Sequence, residues 1–99
     1  MKADYDSRAN ALLIRFIDPG RSDGAVEIDD TYCHVTMWQG RVASIELLNP
    51  SEHLDLLNRV AERLELDPQA LLATAAAALA ARDRLVIVEV AGSAAPVTG

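Results

Sequence analysis

Thr31-Tyr32-Cys33-His34-Val35-Thr36-Met37-Trp38-Gln39-Gly40-Arg41-Val42-Ala43-Ser44-Ile45-Glu46-Leu47-Leu48 is the stretch that decides the fold. Apolar and polar residues alternate with period two on either side of Gln39-Gly40, the pattern of an antiparallel hairpin with one buried face. Two loops are compatible with it. A two-residue loop at Gln39-Gly40 pairs Val35 with Ser44 and Thr36 with Ala43. A three-residue loop, Trp38-Gln39-Gly40, pairs Val35 with Ala43 and Cys33 with Ile45. The second keeps apolar residues together and puts Gly40 where a left-handed residue is needed, so it is preferred. It sets Tyr32, His34, Ser44 and Glu46 on the opposite face, with Glu46 across from Tyr32.

Upstream, period two continues. Lys2 to Asp6 reads as a strand, Asp6 to Asn10 as a turn, and Ala11 to Ile17 as a second strand. Asp and Asn suit that turn because they hydrogen-bond locally and tolerate left-handed backbone. Leu12, Ile14 and Phe16 share one strand face; Leu13, Arg15 and Ile17 share the other. Asp18 to Gly24 is a loop bounded by breakers, and Ala25 to Ile28 a short third strand. Arg15 is a charge on a half-apolar face. If that face is covered, it needs a carboxylate such as Glu27 or Glu46.

Downstream, the period becomes helical. Asn49-Pro50-Ser51-Glu52 predicts a helix start, with Asn as cap, Pro first and Glu reaching back. Leu54, Leu57, Val60, Ala61 and Leu64 form its stripe. Asp67-Pro68 repeats the signal and opens an Ala-rich helix with Leu71, Leu72, Ala75, Ala76 and Leu79 facing inward. Leu85 to Val90 reads as a last strand, apolar on both faces and so in need of two covering layers. The expected architecture is α+β: an antiparallel sheet of five or six strands with two C-terminal helices on one face. Residues 1–90 form one domain, and the small-residue segment 91–99 a flexible tail.

The chain has 99 residues, is 51% hydrophobic and contains only four aromatic residues, Tyr5, Phe16, Tyr32 and Trp38, so aliphatic side chains must build the core. Its net charge of −6 argues against sequence-independent nucleic-acid binding, which requires cations to displace counterions. The single cysteine, Cys33, excludes an internal disulfide and fits a reducing cytoplasm. No signal peptide precedes the first strand, and the Ala-rich stretch is too short for a bilayer. A cytoplasmic protein with no membrane or nucleic-acid partner is expected.

Three segments carry a family likeness: Tyr5 to Phe16, Val26 to Asp30, and the run Gly40-Arg41-Val42-Ala43-Ser44-Ile45-Glu46-Leu47-Leu48-Asn49-Pro50-Ser51. Together they resemble the small bacterial family catalogued as domain of unknown function 2283. The likeness spans roughly residues 2–51, and the helices and last strand look like an extension. Ser44 stands where that family commonly has Gly, Asn10 where it has Asp, and Trp38 where it has a turn carboxylate. The resemblance implies a fold but supplies no catalytic residues. It also implies an antitoxin-like role as one half of a two-gene module, in which an acidic chain neutralises a basic partner.

Candidate binding residues are Tyr32, His34, Glu46, Arg15 and Trp38. A His beside a carboxylate serves as a base or a ligand, but no metal-type spacing accompanies His34, and a solvated sheet face accounts for the same pattern. Trp38 at a hairpin tip either anchors a partner or packs on its own chain. Cys33 belongs to the apolar face as a core thiol, and His34 points away from it. No catalytic residue, cofactor or metal is assigned. The expected function is a non-catalytic interaction module that forms homo-oligomers, a dimer first among them, and binds a protein partner. The competing reading is a small enzyme or ligand- or metal-binding protein built on Tyr32, His34 and Glu46.

Overall fold

A computed structural model describes residues 1–18 and 20–89. The strands are β1 (Lys2–Asp6), β2 (Ala11–Arg15), β3 (Gly24–Asp29), β4 (Cys33–Trp38), β5 (Arg41–Leu48) and β6 (Val86–Ile87). Between β5 and β6 lie a 3₁₀ turn (Pro50–Glu52) and the helices α1 (Asp55–Leu64) and α2 (Pro68–Ala80). The six strands form one sheet in the order β3-β4-β5-β2-β1-β6, and all neighbours are antiparallel. Both helices pack on one face, which makes the α+β architecture that the alternating and helical periods predict. The tail expected over 91–99, and Val90 of the expected last strand, lie outside the described residues.

The covered face is aliphatic throughout. Ala3, Leu12, Ile14, Cys33, Val35, Ile45 and Leu47 are wholly buried, together with Leu57 and Val60 of α1 and Ala75 and Ala78 of α2. Full burial of one such branched side chain contributes about 1.5–3 kcal/mol. Small residues on α2 let it lie close over β1 and β2. Thr74 is the polar residue of this layer. It is fully buried, and its hydroxyl donates to the Ala70 carbonyl at 2.8 Å, so the helix itself satisfies it.

The hairpin differs from both registers expected of it. Its loop is two residues, Gln39 and Gly40, with φ of 51° and 79°. Both are left-handed, as a tightly twisted two-residue hairpin turn demands. That turn sets Trp38 against Arg41 and Met37 against Val42, but from Thr36 onward the register is shifted. Ala43 is an inserted bulge residue. The bulge brings Val35 opposite Ile45 and Cys33 opposite Leu47, so the apolar residues still meet, each two positions further along β5 than in the three-residue register. It also moves Glu46 from opposite Tyr32 to opposite His34. The Ala43 carbonyl accepts from the Phe16 and Ile17 N–H groups at 2.8 and 3.3 Å, which ends β2 two residues before the predicted Ile17.

Three further expectations are corrected. The predicted helix start at Asn49 is only a 3₁₀ turn, and α1 begins at Asp55. Asn49 adopts φ 47°, and its side-chain oxygen accepts from the Asn10 amide at 2.9 Å instead of capping a helix. On α2 the buried stripe is Ala70, Leu71, Thr74, Ala75 and Ala78; Ala76 is exposed, and Leu72 and Leu79 are half-buried. Leu56 of α1 is buried too, beyond the predicted stripe. The Asp67 cap holds as expected, its carboxylate accepting from Gln69 and Ala70 N–H groups at 2.9 and 3.4 Å.

The final strand is shorter than its apolar run suggests. Only Val86 and Ile87 pair with β1. A polar corner positions them. Asp83, at φ 63°, donates its N–H to the Tyr5 carbonyl at 2.8 Å. Its carboxylate accepts from the Ser7 N–H and hydroxyl at 2.9 and 2.7 Å. The Ser7 N–H foremost, then the Ser7 hydroxyl, hold the Asp83 carboxyl below the usual carboxylate range.

Candidate functional site

The face of the sheet away from the helices carries the polar residues singled out by the sequence. Strand register lays them out in two rows across the strands. One row runs Thr36, Ser44, Arg15, Lys2, Ile87. The next runs Glu27, His34, Glu46, Leu13, Asp4. Cross-strand neighbours on one face are close enough to interact, so each row is a continuous strip of surface.

Arg15 lies in the middle of this face. Its Nη2 is 3.9 Å from Asp4 Oδ1, with the two side chains 26% and 38% exposed. The partner is Asp4 of the adjacent strand, where Glu27 or Glu46 was expected. Glu27 is three strands away across the sheet. Glu46 is a diagonal neighbour on the other side, and it stays exposed. At 3.9 Å the contact is longer than a hydrogen bond, and among the described residues the buried Arg15 Nε has no hydrogen-bond partner. Thr36 and Ser44 share a hydroxyl hydrogen bond at 2.6 Å beside it. The loop through Gly20 to Ser22 borders the same cleft, whose volume is about 270 Å³.

His34 sits between Glu27 and Glu46 in register. Among the described residues, no hydrogen bond or ion pair within 4.0 Å joins it to either carboxylate. Tyr32 leaves this group. Its ring stacks on His53 with centroids 4.0 Å apart and planes inclined by 18°, at the margin of the core. Trp38 lies at the far end, half-buried, with the Arg21 guanidinium carbon 6.0 Å from its ring centroid. The loop carrying Arg21 is tied to the hairpin tip: Asp23 donates its N–H to the Met37 carbonyl, and its carboxylate accepts from the Gln39 N–H at 3.0 Å. The sequence thus brings Arg15, His34 and Glu46 to one surface, but sets Tyr32 and Trp38 apart from them.

Acid–base chemistry needs groups that converge within hydrogen-bond reach. The His34 and Glu46 side chains share a row without such a contact. Burial, followed by the charge of Asp29, pushes the Cys33 thiol up to about 11, so it stays protonated at neutral pH. Asp29 itself is committed to the backbone. Its carboxylate accepts from the Tyr32 and Thr31 N–H groups, each at 2.9 Å, and these bonds hold it below the ordinary carboxylate range. Among the described residues, no group of three His, Cys, Asp or Glu is placed to hold a metal ion, and no helix is long and apolar enough to cross a membrane.

Two residues of the run that the sequence marks as apolar on both faces complete the open face. Leu85 is 52% exposed and Ile87 66% exposed, and they are the large apolar side chains left open among the described residues. Both border a cleft that contains Arg15, and Leu85 borders a second one. Their signal was present in the two-sided apolarity of Leu85 to Val90, but only the strand order reveals that they end up at a sheet edge.

Comparisons with protein-family models, curated proteins and solved structures find no match.

Proposed function

We propose that this chain is a non-catalytic interaction module that associates with a second copy of itself and binds a further protein partner. The observation that carries the reading is the placement of Leu85 and Ile87. Among the described residues these are the large aliphatic side chains left more than half open, and they lie together at a sheet edge, where a second molecule can cover both. The surrounding polar groups fit recognition better than catalysis, because Arg15, His34 and Glu46 are spread along a surface and do not converge on one point. With a net charge of −6, the partner that suits the chain is a basic protein, which agrees with the antitoxin-like role implied by the family likeness. A reducing cytoplasm is the compartment that suits its lone buried thiol.

Sedimentation equilibrium over a wide concentration range tests the first part. A mass rising from one chain to two with concentration is expected, and a single-chain mass throughout would remove self-association. For the second part, a purified basic protein from the adjacent gene is titrated against the chain. Binding that weakens with added salt is expected. No binding at low salt would contradict the partner.

A further inference from the structure

We infer that the second copy pairs along β6, joining two sheets edge to edge about a two-fold axis, with Leu85 of each chain opposite Ile87 of the other. This rests on the self-association proposed above and specifies its surface and register.

The backbone supplies the first argument. Met1 and Val88 exchange both of their backbone hydrogen bonds, at 2.9 and 2.8 Å. In an antiparallel ladder such pairs alternate with pairs whose N–H and C=O groups point away. Ile87 pairs with Lys2, next to the Met1–Val88 exchange. The N–H and C=O of Ile87 therefore point to the open side of β6, and so do those of Leu85. Among the described residues nothing lies beyond β6 in the sheet order. Among the described residues, each copy thus presents four backbone groups without a partner, in the geometry that another strand accepts.

The side chains supply the second argument, because this segment is its own complement. Antiparallel pairing of two copies joins residues of equal outward orientation. With Val86 opposite its own symmetry mate, Leu85 meets Ile87 of the second copy and Ile87 meets Leu85. Four backbone hydrogen bonds form, and the two exposed aliphatic pairs cover each other on the open face. The alternative with Ile87 on the axis sets Leu85 against Glu89, an apolar residue against a charge.

Charge supplies the third. On β1, Lys2 is the neighbour of Ile87, and continuing the register makes Asp4 the neighbour of Leu85. The row Ser44, Arg15, Lys2, Ile87 then continues into Leu85, Asp4 and Leu13 of the second copy. Lys2 of one copy and Asp4 of the other then flank the apolar Ile87–Leu85 seam on one row, opposite in sign and three strand spacings apart, twice by symmetry. A basic partner has no such match at this edge, and an unrelated strand lacks the reciprocal Leu–Ile pairing.

The test uses the full chain and two exposed positions. Leu85→Asp and Ile87→Lys each place a charge in the seam, and each chain alone is expected to sediment as a monomer with an unchanged circular dichroism spectrum. Mixed together, the two are expected to recover the dimer, because one seam position becomes Asp against Lys and the other stays Ile against Leu. A second pair guards against misfolding: Leu85→Cys and Ile87→Cys, under mild oxidant, are expected to cross-link in the mixture and not separately, since only unlike positions face each other. If the unaltered chain dimerises and both charge variants still dimerise, the β6 interface is wrong while self-association survives. If the unaltered chain is monomeric at every concentration, both fall. Cross-linking of Leu85→Cys to itself would overturn the register alone.

Discussion

The two faces of the sheet are built from alternate residues of the same strands, yet they obey different rules. On the helix side, Leu12, Ile14, Val35, Ile45 and Leu47 are wholly buried, and the one polar member of that layer, Thr74, hydrogen-bonds to its own helix. On the open side, among the described residues, Arg15 Nε is buried without a hydrogen-bond partner, Glu46 is exposed, and Leu85 and Ile87 are more than half exposed. The covered face is complete within one chain. Among the described residues, the open face keeps polar and apolar groups that nothing covers, and it is the face on which the proposed self-association rests.

Neighbouring residues can break that contrast. Ile45→Ala empties a fully buried site and is expected to cost about 2–5 kcal/mol in urea unfolding. Glu46→Ala, one residue on but facing out, should change stability by less than about 0.5 kcal/mol. Equal effects would erase the distinction between the faces. The cap at the start of α2 tests how firmly the covering layer is held: Asp67→Ala is expected to cost about 1 kcal/mol.

Smaller effects sharpen the picture at the corner that delivers β6. The Asp83 carboxyl titrates below its ordinary 3.8 because Ser7 hydrogen-bonds to the anion. A carboxylate held down in the folded state contributes stability that is fully present above 3.8 and is lost as the pH falls through its lower folded value. The stability gap between the natural chain and Asp83→Asn should therefore narrow on acidification. A gap that widens in acid would contradict the assignment. A modest change is expected at Arg15. Its contact with Asp4 is long and partly solvated, so Arg15→Met should shift stability by no more than about 1 kcal/mol.

Much of the covered face was legible in the chain, because period two identifies a half-buried strand and a cap followed by proline identifies α2. The bulge at Ala43 was not, since alternation carries no mark for an inserted residue. Its trace was the adjacent apolar pair Val42-Ala43, both of which are buried. Asn49 misled for a similar reason. Its cap-like side chain is taken by Asn10, which also accepts from the Tyr5 hydroxyl at 2.7 Å, and that pairing is set by the tertiary fold. The open face was legible as residues but not as neighbours. His34, Ser44 and Glu46 were placed together correctly, whereas Tyr32 went to His53 and Arg15 to Asp4 because the stack and the strand order are long-range facts.

Concentration-dependent amide exchange tests the central claim most directly, since it observes the unfinished edge itself. With increasing protein concentration, the Leu85 and Ile87 N–H groups should become protected while Ile45 and Leu47, already within the sheet, stay unchanged. If the chain dimerises while the Leu85 and Ile87 amides exchange at the same rate throughout, the second copy binds elsewhere and the open edge is not the recognition surface.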